Sequence, residues 1–220
     1  MRVNGKPLSE YGGKLKMDYK ISGCELDVSI FHGRRRSFFT LLNKSVGLKT
    51  LKLPVVFNGK DEAETERKKS LFEMAALGKS ELIMDDGFKY SVVLTEIGQA
   101  SYPSSQLIEV EYIFTGVRHG EYVVAVGNSV HCDSTLPDTD CILTVTVSAD
   151  GTNYKIGSVT FLEVSAGEVL TVDGINGRIL VNGIPAAERA EWTEFPKLAP
   201  GLNEIACADT LTVEFYPVYF

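Results

Sequence analysis

Hydrophobic and polar residues alternate through much of the first half of the chain, in the pattern of β-strands. A period of two runs loosely through Lys14–Leu26 and continues to Ile30. A second segment, Gly47–Asn58, ends at an Asn-Gly pair typical of turns, and Gln106–Val117 is rich in Ile, Val, Tyr and Phe. The first half is therefore predicted to be mostly strands.

One segment, Asp61–Leu77, predicts a helix. Its first two turns are acidic and basic residues follow, which suits the helix dipole. Its apolar residues gather between Leu71 and Leu77, so the C-terminal half is expected to pack and the N-terminal half to be solvated. Gly78 is the predicted end.

A β-hairpin is predicted after the helix. Glu81–Asp85 and Phe88–Ile97 flank the pair Asp86-Gly87. Asp-Gly between alternating segments is one of the strongest short-range signals for a hairpin.

The second half contains short predicted strands separated by turn pairs and shows no helix signal of note. The strands are Glu121–Val126, Ile142–Ser148, Lys155–Val164, Glu168–Val172, Arg178–Val181 and Thr210–Tyr216. Short strands with a turn pair every eight to twelve residues are typical of an antiparallel sandwich. Helical content and charge both change near Arg118-His119-Gly120, which is the predicted boundary between domain 1–118 and domain 119–220.

Charge supports this division. The chain has 220 residues and a net charge of −7. Residues 1–118 carry 18 basic and 15 acidic residues, whereas residues 119–220 carry 4 and 14. Such asymmetry between halves indicates separate domains, and an acidic second half disfavours binding to nucleic acid.

Composition indicates an ordinary globular chain. Hydrophobic residues make up 44% and charged residues 23%, which excludes disordered and collagen-like classes. No apolar run approaches a membrane helix, and the opening MRVNGKPLSE lacks the apolar region of a signal peptide. We expect no membrane association.

Four cysteines are too few for a disulfide framework, and they are expected to be reduced. A bridge between Cys132 and Cys141 stays open as an alternative. His131, Cys132 and Cys141 offer only three of the four ligands that a zinc site needs, so no metal is expected.

Motifs for catalysis are missing. The sequence contains no P-loop, no GxSxG and no HExxH. The acidic loop with Asp133, Asp138 and Asp140 lacks the frame of a calcium site and is read as solvated. The three histidines have no metal-pair spacing, and no carboxylate pair is singled out. We therefore expect neither an enzyme nor a cofactor.

The one basic run with aromatic neighbours leaves three interpretations open. It consists of Arg34, Arg35 and Arg36 followed by Phe38 and Phe39. A subunit interface, where Arg and aromatic residues are enriched, and a solvated turn are the leading alternatives. A nucleic-acid patch is the third.

Near the C-terminus, a dense motif follows the only tryptophan, Trp192. It reads F-P-K-L-A-P-G-L-N-E-I, and its characteristic positions are Phe195, Pro196, Leu198, Pro200, Gly201 and Asn203. The two prolines restrict the backbone that leads into the predicted turn. Gly201 suits a turn position, and Asn203 can hydrogen-bond nearby backbone. We expect Trp192 and these residues to have structural roles.

This motif, followed by a strand from Thr210 to Phe220, resembles the end of distal tail proteins of long-tailed phages that infect Gram-positive bacteria. A second similarity is the series of strand, charged helix and hairpin from Leu53 to Tyr90. Residues Ser29–Thr40 stand where such proteins often have a segment rich in proline and glycine.

The resemblance implies a mainly β fold with two domains. The N-terminal one would be a β-sandwich or split barrel with one helix and a hairpin, forming a ring of six that continues the tail tube. The C-terminal one would be a sandwich similar to galectins or carbohydrate modules, projecting outward to baseplate or receptor-binding proteins. The protein would act as a structural hub in the virion tail tip, after assembly in the host cytoplasm.

Two alternatives remain open. One is a protein that binds host cell-surface glycans through an aromatic platform in its second domain, with Trp192 or Tyr154 as candidates. The other is a hydrolase acting on those glycans, which would need a pair of carboxylates.

Overall fold

The computed structural model describes residues 1–32, 34, 37–85 and 87–220. The chain divides into two compact units. One comprises Met1–His119 together with Phe220, and the other comprises Gly120–Tyr219. Strands dominate both units, so the predicted mainly β class is confirmed.

All strands of the N-terminal unit join in one antiparallel sheet. They are β1 (Arg2–Val3), β2 (Lys6–Pro7), β3 (Gly13–Leu15), β4 (Lys20–Phe31), β5 (Thr40–Asn58), β6 (Lys79–Ile83), β7 (Lys89–Ile97), β8 (Ser101–Ser104) and β9 (Leu107–His119). Their order is β2-β1-β6-β7-β9-β5-β3, with β4 also paired to β5 and β8 to β9. A 3₁₀ turn, Leu8–Tyr11, precedes β3.

The longest strand, β5, pairs with different strands along its length. From Lys49 to Asn58 it pairs with β9 inside the sheet. From Thr40 to Lys52 it pairs with β4, and over Thr40–Leu48 no other strand of the described chain is in register with it. At about 3.3 Å per residue, this two-stranded ribbon extends roughly 30 Å beyond the sheet.

Helix α1 (Glu62–Ala76) begins as its sequence predicts. The Asp61 carboxylate accepts a hydrogen bond from the Glu64 amide at 2.8 Å, and the Glu64 carboxylate accepts one from the Lys60 amide at 2.9 Å. These bonds satisfy amides that a helix start leaves without partners. Gly78 follows the last turn with φ of +79°, a conformation that glycine adopts most easily.

The expected packing of the helix was wrong in detail. Among the apolar residues of its C-terminal half, Phe72 and Ala76 are buried, but Leu71, Met74 and Leu77 are exposed. A helix that packs one face on a sheet buries residues three or four positions apart, so the neighbours of Phe72 point away from the core.

Phe72 lies at the centre of the N-terminal core. Its ring centroid is 4.9 Å from that of Tyr112, 5.6 Å from that of Phe57 and 5.9 Å from that of Tyr11. Strand residues such as Leu53 are fully buried around this cluster. The helix therefore packs on the sheet through an aromatic cluster centred on Phe72.

The predicted hairpin after the helix is confirmed by the antiparallel register of β6 and β7, from Lys79 opposite Val93 to Ile83 opposite Lys89. In the turn, the Gly87 amide donates to the Met84 carbonyl. The predicted turn residue Asp86 lies outside the described residues.

The C-terminal unit consists of short antiparallel strands. They are β10 (Val123–Val126), β11 (Ser129–Cys132), β12 (Thr139–Thr146), β13 (Gly151–Ile156), β14 (Val159–Val164), β15 (Val169–Asp173), β16 (Arg178–Val181), β17 (Ile184–Pro185), β18 (Ala190–Trp192), β19 (Lys197–Leu198), β20 (Gly201–Glu204), β21 (Thr212–Phe215) and β22 (Val218–Tyr219). A 3₁₀ turn, Ala187–Arg189, precedes β18.

Apart from β22, these strands form a large sheet and two small ones. The large sheet has the order β10-β21-β12-β15-β16-β17, with β19 also on β12. The small sheets are β11-β20 and β13-β14-β18. Their apolar faces enclose a core that includes Leu143, Phe161, Val172 and Phe215 and shares no residue with the N-terminal core.

One predicted strand of this unit was wrong. The segment Lys155–Val164 is a hairpin of β13 and β14, because the chain turns at Gly157, whose φ is +59°. The four cysteines are free thiols, and burial raises the pKa of the Cys141 thiol to about 12. The bridge between Cys132 and Cys141 is therefore absent.

A bidentate ion pair joins the start of β15 to the 3₁₀ turn. Arg189 Nη1 and Nη2 donate to the two oxygens of Glu168 at 2.9 and 3.0 Å, and the Ser165 amide donates to the same carboxylate. The Arg189 guanidinium, followed by that amide, lowers the pKa of Glu168 below its ordinary value of 4.5.

We expect Glu168→Gln to destabilise the C-terminal unit at neutral pH by about 1 kcal/mol, since the pair is bidentate but near the surface. A lowered folded-state pKa gives stability that is present above pH 4.5 and is lost as pH falls through the folded value. The difference in melting temperature between the two proteins should therefore shrink between pH 5 and pH 3. A difference that is constant over this range would contradict the role of the carboxylate charge.

Candidate interaction surfaces

The hairpin of β4 and β5 presents apolar side chains to solvent. Phe38 and Phe39, in the connection between the two strands, are 83% and 63% exposed. Nine large apolar residues of this hairpin are exposed: Leu26, Val28, Ile30, Phe31, Phe38, Phe39, Leu41, Leu42 and Leu48. Exposed apolar residues grouped in this way are typical of interaction surfaces.

Only part of the basic run at the hairpin tip is described. Arg34 is exposed in the turn next to Phe38 and Phe39, whereas Arg35 and Arg36 lie outside the described residues. The sequence pattern identified this tip but not the apolar ribbon behind it. The alternation from Leu26 to Ile30 indicates a strand, but it does not show that both faces of the strand are exposed.

In the C-terminal motif, Asn203 holds a turn together. Its side chain accepts a hydrogen bond from the Ala199 amide at 2.9 Å and donates to the carbonyls of Ala199 and Gly201 at 2.8 and 3.0 Å. Gly201 has φ of +94°, and Pro200, before it, is exposed. The motif therefore contains a tight turn that is closed by its own asparagine.

The same motif attaches this turn to the core. Leu198 is buried and pairs with Thr139 through β19 and β12. The Pro196 carbonyl accepts a weak bond from the Cys141 thiol at 3.5 Å, and Phe195 packs partly against the core.

The two aromatic candidates for a glycan platform differ. Trp192 is 39% exposed, with its ring centroid 6.1 Å from that of Phe195. Tyr154 is partly buried, and its hydroxyl donates to the Asp209 carboxylate at 2.7 Å. Of the two candidates, Trp192 is therefore the more exposed.

Exposed aromatics that the sequence patterns did not single out lie directly before β10 and directly after β21. The ring centroids of Tyr122 and Tyr216 are 4.8 Å apart, and the Tyr122 hydroxyl donates to the Glu214 carboxylate. Burial and this carboxylate raise the pKa of Tyr122 to about 12, so the hydroxyl stays protonated at neutral pH.

In the described residues, no three His, Cys, Asp or Glu side chains are grouped as metal ligands. His131 contacts Asp133, with 3.1 Å between Nε2 and Oδ1, and Lys197 lies 3.9 Å from Asp138. Among the helices of the same residues, none combines the length and apolar character needed to cross a bilayer.

The fold is similar to that of solved phage proteins. The crystal structure of the Dit protein of phage SPP1, described as a paradigm of the hub adsorption apparatus in phages infecting Gram-positive bacteria, matches with a TM-score of 0.73 and 11% identity. The match covers 100% of this chain and 98% of that chain. The expected resemblance to distal tail proteins is thus confirmed at the level of the fold.

Two structures of the phage P2 baseplate in its activated conformation give weaker matches. The one with calcium has a TM-score of 0.52 and 7% identity, covering 96% of this chain and 92% of that chain. The one with strontium has 0.53 and 6%, covering 95% and 91%. No family model and no curated protein matches the sequence.

Proposed function

We propose that this chain is a structural hub protein of a phage or prophage tail tip. The observation that carries the proposal is the fold similarity to the SPP1 hub protein, which extends over both units and nearly the full length of both chains. A role in assembly also agrees with the large apolar surface of the hairpin.

In this proposal the predicted N-terminal domain, residues 1–118, forms a ring of six that joins the tail tube to the tip. The hairpin of β4 and β5 is the contact surface, because its apolar side chains are exposed in the single chain. Arg34, Arg35 and Arg36, which precede Phe38 and Phe39 in the sequence, belong to the same interface in this proposal.

The predicted C-terminal domain, residues 119–220, receives the baseplate or receptor-binding proteins. Its 14 acidic and 4 basic residues favour a partner with a basic surface, since opposite charges steer association. The protein would be assembled in the host cytoplasm and would remain in the virion, acting by binding and not by catalysis.

Electron microscopy of the purified protein tests the ring directly, and we expect six-fold particles. Replacing Arg34, Arg35 and Arg36 together by alanine should weaken self-association by about tenfold without lowering the melting temperature, as expected for arginines that act in an interface and not in a core. Arg67→Ala, which removes an exposed arginine on helix α1, is the matched control. Equal ring populations in the triple variant and the wild type would exclude these arginines from the interface.

Glycan binding by the C-terminal unit is the second candidate function. The partly exposed Trp192 supports it, since sugars stack on open aromatic faces. A change in Trp192 fluorescence on adding host cell-wall polysaccharides is the expected result, with Trp192→Phe as the silent control. Unchanged fluorescence across a polysaccharide panel would remove this candidate.

A further inference from the structure

A surface pocket of about 650 Å³ lies at the base of the N-terminal sheet. Its apolar wall is formed by Leu15, Met17, Val56 and Leu107. Met17 is 94% exposed at this site. Strand β3, which contributes Leu15, is the edge strand of the sheet, so the pocket is open to another molecule.

The charges at the pocket rim nearly cancel. Lys16 Nζ lies 2.5 Å from Glu109 Oε1, which neutralises this lysine. Lys14 and Asp18 contribute one charge of each sign to the lining. A pocket with apolar walls and no net charge suits an apolar side chain better than an ion.

The hairpin tip offers side chains that match this pocket. The three most exposed large apolar residues of the hairpin are Phe38 at 83%, Leu42 at 65% and Phe39 at 63%. A cavity of about 150 Å³ is enough to hold a benzene molecule, so the pocket has room for two phenyl rings.

The tip cannot reach the pocket of its own chain. Phe39 immediately precedes β5, and Val56 lies near the other end of this continuous strand. Val56 is sixteen positions after Thr40, which corresponds to roughly 50 Å of extended chain. The strand itself keeps the two surfaces apart, so only a second copy can bring them together.

We infer that the pocket formed by Leu15, Met17, Val56 and Leu107 receives Phe38 and Phe39 from the hairpin of a neighbouring copy. This inference rests on the proposed self-assembly and names its contact. The two surfaces are different, so the interface is heterologous, and repetition of such a contact produces a closed ring or an open filament.

The contact must extend beyond the two rings. Two aromatic side chains bury roughly 300–500 Å², whereas each partner in a stable interface buries about 800 Å². The exposed aliphatic residues of β4 and β5, such as Leu41 and Leu42, can supply the remaining area. Phe38 and Phe39 are therefore the anchors, and the ribbon behind them completes the interface.

A mixing experiment tests the pairing. The double variant Phe38→Ser, Phe39→Ser lacks the anchors but keeps the pocket, and Met17→Arg keeps the anchors but places a charge at the pocket rim. Each variant alone should self-associate more than about tenfold more weakly than the wild type, as for interface hot spots. Mixed in equal amounts, the two should form a one-to-one dimer that grows no further, measured by native mass spectrometry.

The matched control is the double variant Ile184→Ser, Leu202→Ser, which removes two apolar residues that are each 69% exposed in the C-terminal unit. It should assemble like the wild type. All substituted side chains are exposed, so each variant should keep the wild-type melting temperature, and this is checked first.

The outcomes separate the inference from the proposed function. If the wild type assembles but the variants assemble equally well, or if the mixture gives no dimer, the pairing of tip and pocket is wrong while the ring proposal stands. If the wild type stays monomeric even at high concentration and under chemical cross-linking, self-assembly itself is contradicted.

Discussion

Replacing Phe72 by alanine should remove most of the stability of the N-terminal unit and leave the C-terminal unit intact. The ring is fully buried and contacts Tyr11, Phe57 and Tyr112. Truncation of such a residue costs about 3–5 kcal/mol, a large share of the 5–15 kcal/mol typical of a domain. We expect the melting temperature of this unit to fall by about 10–20 °C.

The single tryptophan makes this measurement selective. Trp192 belongs to the C-terminal unit, so its fluorescence follows that unit alone, while calorimetry records both transitions. Leu71→Ala is the control, because Leu71 is adjacent in sequence but exposed. If Phe72→Ala shifts the Trp192 transition equally, the two units unfold together, and the proposal of separate domains fails.

Most strands were predictable because their hydrophobic pattern is local. The segment Gly47–Asn58 shows alternation and an Asn-Gly stop, and it pairs with β9 in the sheet from Lys49 to Asn58 as expected. The helix was predictable for a similar reason, since its cap and its charge order are encoded within a few residues. Signals of this kind do not depend on the rest of the fold.

The burial of individual strand and helix residues could not be predicted from the sequence. The apolar residues of β4 from Leu26 to Ile30 follow a core-like pattern, but they are exposed because β4 pairs with β5 alone beyond the sheet. Burial depends on partners that are distant in sequence. The same limit applies to Leu71 and Met74, whose position on the helix alone does not reveal the direction of the sheet.

The candidate surfaces were predictable only in part. The basic and aromatic run near Phe38 is recognisable in the sequence by its residue types alone. The pocket, in contrast, is formed by Leu15, Val56 and Leu107, which lie on three different strands or at their ends. No local pattern connects these residues. In contrast, the turn role of Asn203 follows from its own short motif and is seen in its hydrogen bonds to Ala199 and Gly201.

Gly201→Val is expected to produce the reciprocal result, a loss of stability confined to the C-terminal unit. With φ of +94° at Gly201, any other residue is strained by about 1–3 kcal/mol, and a β-branched side chain lies at the upper end. A Cβ atom at this position would meet no other atom within 4 Å, so the cost arises from the backbone and not from a clash.

The Trp192 transition of Gly201→Val should therefore fall by about 10 °C, while the transition of the N-terminal unit is unchanged. Gly201→Asn should fall less, because asparagine tolerates positive φ better than valine does. Leu202→Val, at the exposed neighbour, should leave both transitions in place. Equal melting temperatures for the Val, Asn and wild-type proteins would show that this turn is not strained by side chains. The turn closed by Asn203 holds β19 against β12, and β19 contains the buried Leu198. The loss of stability expected for Gly201→Val therefore extends from the turn to the core.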